Sequence, residues 1–213
     1  MSALQRDLLV AFFEREARFF LTGGAALGGF HLGHRPSDDI DLFTTPPVDL
    51  DAGERALLGA AAACGATLVP VDRFPEFRRF LAERGAERTV VDLVLDRAPQ
   101  LDATKGRVGS IRMDSLLEIA ANKICALLSR NEAKDLVDLT AILEAGVSLE
   151  GALAAAGRKD AGANAANLGF VLDQVRIGAA AVLPGGGDPL ELERARVRLV
   201  AELARLAFPG PHR

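Results

Sequence analysis

Residues 22–43 read TGGAALGGFHLGHRPSDDIDLF, and this stretch decides the expected fold. A short hydrophobic segment at 18–22 leads into two glycines and a helix-forming run. Glycine at a strand-to-helix turn lets backbone N–H groups approach a ligand, and the start of a helix favours an anion. We therefore predict a phosphate-binding turn at Gly23 and Gly24. The alternative is a tight turn that binds nothing.

The same stretch ends in a strand that carries two aspartates, Asp39 and Asp41. Residues two apart in a strand point the same way, so both carboxylates should share a face while Ile40 and Leu42 point into the core. Two carboxylates at this spacing repel each other unless a cation lies between them, and Mg²⁺ prefers oxygen ligands. The pattern indicates a metal site, with a solvated acidic strand end as the alternative.

A lysine and an aspartate stand at unexpected positions in two predicted helices. Residues 114–139 read DSLLEIAANKICALLSRNEAKDLVDL, and Lys123 falls beside the apolar stripe of the first helix. Asp135 shares a face of the next helix with Leu139 and Ile142. Burying an unpaired ammonium is costly, so the two opposite charges indicate a shared site. The alternative is a buried ion pair that only joins the helices.

Together, the two segments resemble the AbiEii/AbiGii-type toxin family of the DNA polymerase β-like nucleotidyltransferase superfamily. The glycine and aspartate segment is similar to a family motif of the form GGTAL…LGHR.S.DIDLF, with Ala25 where the family often has Thr. Two further family motifs have counterparts at Glu118-x4-Lys123-Ile124 and Lys134-Asp135-x2-Asp138. The resemblance covers residues 18–44 and 114–143.

The resemblance implies a fold and an activity. The fold would be α/β (α+β): a polymerase β-like nucleotidyltransferase domain with a mixed sheet, followed by a C-terminal helical domain. The activity would be transfer of a nucleotide from an NTP to an acceptor, with Mg²⁺ or Mn²⁺ as cofactor. The family also implies a bacterial toxin with a cognate antitoxin. Some relatives extend tRNA 3′ ends, which makes tRNA the expected acceptor.

The resemblance also assigns roles to residues. Asp39 and Asp41 would be catalytic metal ligands. Lys123 would bind the nucleotide and neutralise phosphate charge in the transition state, and Asp135 would orient Lys123 or contact the base or ribose. The superfamily often has a third carboxylate on a neighbouring strand, and Asp92 in TVVDLVL is our candidate metal ligand. An exposed strand residue is the alternative for Asp92.

Several other side chains are weaker candidates. Arg35 would contact a triphosphate oxygen, since guanidinium suits phosphate, or it would pair with Asp38 at the surface. Ser37 would touch the ligand or cap the aspartate strand. Glu118 and Asp138 are expected in supporting positions or on helix surfaces. A basic stretch interleaved with acids is better explained as a solvated mixed-charge hairpin than as an RNA surface; it consists of Arg73, Arg78, Arg79, Arg84 and Arg88.

Composition excludes several classes of protein. With 213 residues, 49% of them hydrophobic, the chain can bury a real core, so disorder is excluded as its main state. The net charge of -4 argues against a high-affinity, non-specific nucleic-acid binder. Two cysteines in apolar surroundings do not form a zinc or disulfide pattern. No membrane-length apolar run or signal-peptide core is evident, so we expect a cytoplasmic protein without a membrane partner.

The pattern of the elements predicts two domains, with boundaries at 1–110 and 111–213. Strands are expected at 18–22, 40–44, 67–71, 77–81 and 89–95, with helices at 3–17, 25–32 and 51–64. From Met113 onward we predict only helices, at 113–129, 132–145, 148–157, 164–182 and 189–207. Residues 157–162 are expected to form an exposed loop. The helical domain would complete the active-site cleft, with the NTP between the domains.

Two alternatives to tRNA modification remain open from the sequence. The first is a nucleotidyltransferase of the same fold that acts on a small molecule or a protein hydroxyl. The second is a non-catalytic NTP-binding or protein-interaction module. The intact Asp39, Asp41, Lys123 and Asp135 argue against the second.

Overall fold

The computed structural model describes residues 1–209; residues 210–213, at the end of the predicted second domain, lie outside the described residues. The chain divides into two compact units. The first consists of Met1–Arg97 and Asp102–Ser115, and the second of Ala98–Leu101 and the residues from Leu116 onward. The first contains a sheet with helices, and the second is helical.

Three α-helices and seven strands make up the described first unit. Its helices are α1 (Ala3–Phe13), α2 (Gly23–Ala26) and α3 (Leu50–Ala63), with a π-helical turn at Leu27–His31 directly after α2. Its strands are β1 (Phe20–Thr22), β2 (Asp39–Thr44), β3 (Thr67–Arg73), β4 (Phe77–Arg84), β5 (Glu87–Leu95), β6 (Gly106–Val108) and β7 (Ile111–Met113).

The strands form one mixed sheet in the order β3-β4-β5-β2-β1-β7-β6. Neighbours run antiparallel except for two parallel pairs, β2 with β5 and β1 with β7. The predicted mixed sheet is therefore confirmed. The central strands β5, β2 and β1 carry the residues of interest for function, and they are supplied by distant parts of the chain.

One face of the sheet is buried beneath α1 and α3. Alternate residues of β2, β4 and β5 point into this core, among them Ile40, Leu42, Phe80, Val91 and Leu93. Arg78 lies on the same face and binds Asp51 and Glu54 of α3. Because strand side chains alternate, the residues between these positions belong to the opposite, half-buried face.

The second unit has five described α-helices: α4 (Leu116–Ser129), α5 (Ala133–Glu144), α6 (Leu149–Lys159), α7 (Ala165–Gln174) and α8 (Pro189–Ala207). Several begin at a side-chain cap, and Asp188 accepts a hydrogen bond from Leu190 N before Pro189 starts α8. The core of the unit lies mainly along α4, where Ile119, Ala120 and Ile124 are fully buried. Within residues 1–209, no helix is long and apolar enough to cross a membrane.

Three local predictions were wrong. Met113 belongs to β7, not to a helix, because this three-residue strand pairs with Leu21 of β1. Residues 157–159 are the end of α6, not a loop, and the predicted helix 164–182 ends at Gln174. The first two errors concern segments that contact distant parts of the chain, Met113 with Leu21 and Lys159 with Glu118.

Candidate active site

The turn at the end of β1 packs directly on the strand that carries the two aspartates. Gly23 has a φ of +64°, a left-handed conformation that glycine adopts without steric cost. A β-carbon added to Gly23 would collide with the carboxylate of Asp41. On Gly24 it would lie 2.7 Å from Ser37 Oγ and 3.0 Å from Arg35 Nη2. Both glycines let the turn close on these side chains.

Strand β2 presents its aspartates as the alternation predicts. Asp39 and Asp41 are half-buried on one face, whereas Ile40 and Leu42 are each only 1% exposed on the other. The Ser37 hydroxyl donates to Asp39 Oδ1 at 2.6 Å, which ties the loop before the strand to its first carboxylate. The structure thus supports both the shared face and the buried partners.

Arg35 is buried, with 8% of its surface exposed, so it is not a surface residue. Its Nη1 donates to the carbonyl oxygen of Pro36 at 3.0 Å, and its Nη2 faces Gly24. A guanidinium held in this way against a glycine turn adds a fixed positive charge beside the two aspartates. Six of the predicted site residues are therefore brought together: Gly23, Gly24, Arg35, Ser37, Asp39 and Asp41.

Strand register extends this group into a row across four strands. Asp41 lies opposite Thr22 of β1 on one side and opposite Asp92 of β5 on the other. Asp92 in turn lies opposite Arg79 of β4. Facing residues on neighbouring strands are separated by about 5 Å between α-carbons, so their side chains interact. The row Thr22–Asp41–Asp92–Arg79 is the centre of the candidate site.

Asp92 is not an exposed strand residue, because it is 6% exposed and bound by Arg79. Arg79 Nε and Nη2 donate to its two carboxylate oxygens at 2.8 and 2.7 Å. The hydrogen bond to Asp92 raises the pKa of Arg79, so the guanidinium stays charged. Sequence reasoning placed Arg79 in a basic stretch and missed this partner. The antiparallel register of β4 and β5 is the signal that identifies it.

Thr22 carries an unusual polar atom. Its side-chain oxygen is buried, and it finds no hydrogen-bond partner among residues 1–209. Buried hydroxyls are normally satisfied, since leaving one unpaired costs free energy. An unsatisfied hydroxyl opposite Asp41 and next to Gly23 is suited to a ligand oxygen bound in the turn.

The predicted site residues of the helical unit form a separate charge cluster. Lys123 Nζ donates to Asp135 Oδ1 at 2.9 Å and contacts Asp138 Oδ2 at 2.6 Å. Arg130 also binds Asp135, through two hydrogen bonds of 2.9 and 3.0 Å. Lys123 is 6% exposed, and both aspartates are fully buried. The unit thus pairs Lys123 with Asp135, as the shared-site hypothesis and its structural alternative both require.

Electrostatics keep this cluster ionised. Desolvation lowers the pKa of Lys123, but the charges of Asp138 and Asp135 outweigh it, so the net shift is upward. Burial raises the pKa of Asp135, but hydrogen bonds from Arg130 and the charge of Lys123 lower it by more. The buried Lys123 and the exposed Arg130 therefore balance the charges of the two buried acids.

Two residues expected in supporting positions or on helix surfaces are fully buried. Asp138 belongs to the Lys123 cluster. Glu118 forms an ion pair with Lys159 and accepts a hydrogen bond from Leu101 N at 2.8 Å. Lys159 is correspondingly buried, which explains why it ends a helix and does not lie in an exposed loop. The surface placement of Glu118 and Asp138 is therefore wrong.

The comparisons with known proteins give this geometry a family. The model of the nucleotidyl transferase AbiEii toxin family, a type IV toxin–antitoxin system, matches residues 7–208. The chain belongs to the AbiEii nucleotidyltransferase toxin family. The resemblance inferred from the two motif segments is thus confirmed over nearly the whole chain, and membership makes the chain a nucleotidyltransferase. No curated protein matches it.

Solved structures support the AbiEii fold. The crystal structure of JHP933 from Helicobacter pylori has a TM-score of 0.55 and 19% sequence identity, covering 96% of this chain and 92% of that one. A crystal structure described as a candidate nucleotidyltransferase from H. pylori has a TM-score of 0.52 and 20% identity, covering 95% and 94%. At this identity the likeness concerns the fold.

The AbiEii residues in β2 fit a divalent cation supplied with a phosphate ligand. Asp39 and Asp41 offer carboxylate oxygens on one face, which is the donor type that Mg²⁺ prefers. In residues 1–209, no group of three or more His, Cys, Asp or Glu side chains is arranged to hold a metal alone. The remaining ligands would come from the nucleotide, as is usual for Mg²⁺.

Proposed function

We propose that this AbiEii nucleotidyltransferase transfers a nucleotide from an NTP to a tRNA acceptor, with Mg²⁺ as its cofactor and Mn²⁺ as a substitute. One observation carries the proposal. The Gly23–Gly24 turn has no side chains where it meets Asp41, Ser37 and Arg35, so the backbone of the turn lies directly beside the carboxylate, hydroxyl and guanidinium that would act with it on a phosphate group.

In the proposed complex, each residue acts on a different part of the nucleotide. Backbone N–H groups of Gly23 and Gly24 donate to the triphosphate, and the Arg35 guanidinium offsets its charge. The unsatisfied hydroxyl of Thr22 supplies a further donor, and the Ser37 hydroxyl, which donates to Asp39, holds that carboxylate beside the ligand. Asp39 and Asp41 hold the cation. A third ligand role for Asp92 would place the cation on a carboxylate that Arg79 already engages through both oxygens.

The proposed reaction exchanges one phosphorus–oxygen bond for another. The acceptor hydroxyl oxygen bonds to the α-phosphorus and loses its proton to solvent, while the bond from that phosphorus to the bridging oxygen breaks and pyrophosphate leaves. A bound divalent cation supplies Lewis acidity to the phosphate oxygens. The fixed turn donors and Arg35 stabilise the negative charge that grows on the leaving group.

Lys123 and Asp135 are proposed catalytic residues on the strength of their family-like motifs. Lys123 would bind phosphate and Asp135 would orient it, and their 2.9 Å hydrogen bond is compatible with that division of roles. Asp138 is added to the set, since it contacts Lys123 as closely as Asp135 does. A cognate antitoxin and a cytoplasmic setting follow from the same proposal, because type IV toxins have antitoxins and both substrates are cytoplasmic.

The test uses purified protein, Mg²⁺, each α-labelled NTP and total tRNA. We expect label on RNA with the native chain and with Asp38→Asn, and none with Asp41→Asn. Asp38 is an exposed neighbour of the aspartate strand, so this control removes the same charge outside the site. Label on a protein or small molecule would replace tRNA as the acceptor. Equal transfer by the Asp41→Asn variant would overturn the site assignment.

A further inference from the structure

Arg79 already places a positive charge on the third carboxylate of the site. Its two nitrogens engage both oxygens of Asp92, so Asp92 has no oxygen outside this bidentate pair facing Asp41. A bidentate guanidinium–carboxylate pair is geometrically specific and stronger than a single hydrogen bond. A cation at Asp92 would have to share a carboxylate whose two oxygens are already engaged by Arg79.

Other contacts hold Arg79 in this position. Its guanidinium carbon lies 5.3 Å from the centroid of the Phe77 ring, a cation–π distance. Asp72 of β3 faces it from the far side of the row, and its charge, like that of Asp39, helps keep Arg79 protonated. Arg79 is thus bound by Asp92, lies near the Phe77 ring and faces the charge of Asp72, independently of any ligand in the site.

Charge balance points the same way. The aspartates at 39, 41 and 92 together carry three negative charges when ionised, and Arg79 offsets one of them. The Arg35 guanidinium beside Gly24 offsets another, so these protein groups carry far less negative charge than two divalent cations would balance. A second divalent cation at Asp92 would lie beside the guanidinium, where like charges repel.

We propose that Arg79 stands in for a second divalent cation at Asp92, so that the site binds a single divalent ion on Asp39 and Asp41. This inference rests on the proposed function. It makes Arg79 a permanent positive group in the row that stabilises negative charge near Asp92. Unlike a bound metal ion, the guanidinium cannot dissociate or be removed by a chelator.

The experiment counts ions and does not use activity. The protein is kept in excess over an α,β-methylene NTP, and Mn²⁺ is titrated into the mixture. Electron paramagnetic resonance then measures the number of Mn²⁺ ions bound per bound analogue. We expect one ion for the native chain, one for Arg79→Lys and two for Arg79→Gln, which leaves Asp92 buried and unpaired. Arg88→Gln is the matched control, for which we also expect one ion. Arg88 is an exposed arginine that lies on the same face of β5 as Asp92.

The other outcomes separate the two proposals. Two ions on the native chain, or one ion on Arg79→Gln, overturn the role of Arg79 while leaving nucleotide binding intact. If the native chain binds neither the analogue nor Mn²⁺, the proposed function itself is overturned. If Arg79→Gln does not fold, Asp92→Asn gives a second measurement. The number of bound ions stays at one if Asp92 is not a ligand, whereas loss of the ion contradicts the inference.

Discussion

The carboxylate of Asp41 occupies the space that a side chain on Gly23 would need. The turn at Gly23 and strand β2 therefore pack together at the one position where a β-carbon of residue 23 would lie. Any residue larger than glycine must displace the carboxylate that is proposed to hold the cation. Backbone conformation and site chemistry are coupled at this one contact.

Gly23→Ala tests that coupling, with Gly33→Ala as its control. Both glycines have left-handed φ values, +64° and +66°, but the space around Gly33 is open. Both variants should lose about 1 kcal/mol of unfolding free energy from the backbone. Only Gly23→Ala should also weaken NTP binding, by roughly tenfold or more, because Asp41 must move. Fluorescent-NTP titration measures the effect on binding, and urea unfolding measures the effect on stability. Equal NTP binding by both variants would contradict a phosphate-binding turn at Gly23.

Thr22→Val should move stability and binding in opposite directions. The native hydroxyl is buried without a partner, so replacing it by a methyl group should leave the free energy of unfolding unchanged or raise it by about 1 kcal/mol. If the hydroxyl donates to a phosphate oxygen, NTP affinity should fall roughly tenfold. Thermal unfolding and nucleotide titration on the same preparation check this. A loss of stability would show that the hydroxyl is already satisfied.

Lys123→Met should destabilise the helical unit whatever its part in catalysis. The substitution leaves Asp135 and Asp138 buried with less compensating charge, and breaking a buried ion pair costs about 3–5 kcal/mol. Lys134→Met is the matched control, since Lys134 pairs with the exposed Glu132, and it should change stability by less than about 0.5 kcal/mol. Urea denaturation separates the two. Activity losses in Lys123→Met can then be judged against its measured folded fraction.

Glu193 should make α8 sensitive to acid. Its hydrogen bonds from Arg196 lower the pKa of Glu193 to about 2 from its ordinary 4.5. A carboxylate with a lowered folded-state pKa adds stability above its unfolded value, and that stability is lost as pH falls from 4.5 toward 2.

The difference in unfolding free energy between the native chain and Glu193→Gln should therefore be constant above pH 5 and shrink as pH falls through that window. Glu191→Gln, on the same helix and 75% exposed, should show no such pH-dependent difference. Denaturant midpoints between pH 2 and 7 give both curves. Parallel curves for the native chain and Glu193→Gln would contradict the assignment.

Much of the candidate site was predictable because it lies in one continuous segment. Three of its features are local: the glycines that allow a positive φ, the alternation of Asp39 with Ile40, and the loop between them. Each follows from the residue types within a few positions of one another. Arg79 was also within reach. A two-residue turn at Gly85 and Ala86 pairs Arg84 with Glu87, and counting back along both strands places Arg79 opposite Asp92.

Other features were not predictable in this way. Strand β7 depends on Leu21, far back in the chain, which lies beside Met113, as well as on its pairing with β6. Lys159 looked like a loop residue because its charge and its glycine-rich surroundings are typical of exposed turns. Its burial depends on Glu118, a partner on another helix that no local pattern identifies. Long-range pairing, not local propensity, decided both.

The row from Thr22 to Arg79 has one residue on each of four adjacent strands. Each position can therefore mutate without disturbing the backbone of the next, so charge and ion preference can be retuned one strand at a time on an unchanged fold. A register slip of one residue is different, since it would turn a whole strand's contribution to the opposite face. In this family, we expect substitutions along the row to be tolerated far better than insertions or deletions within its strands.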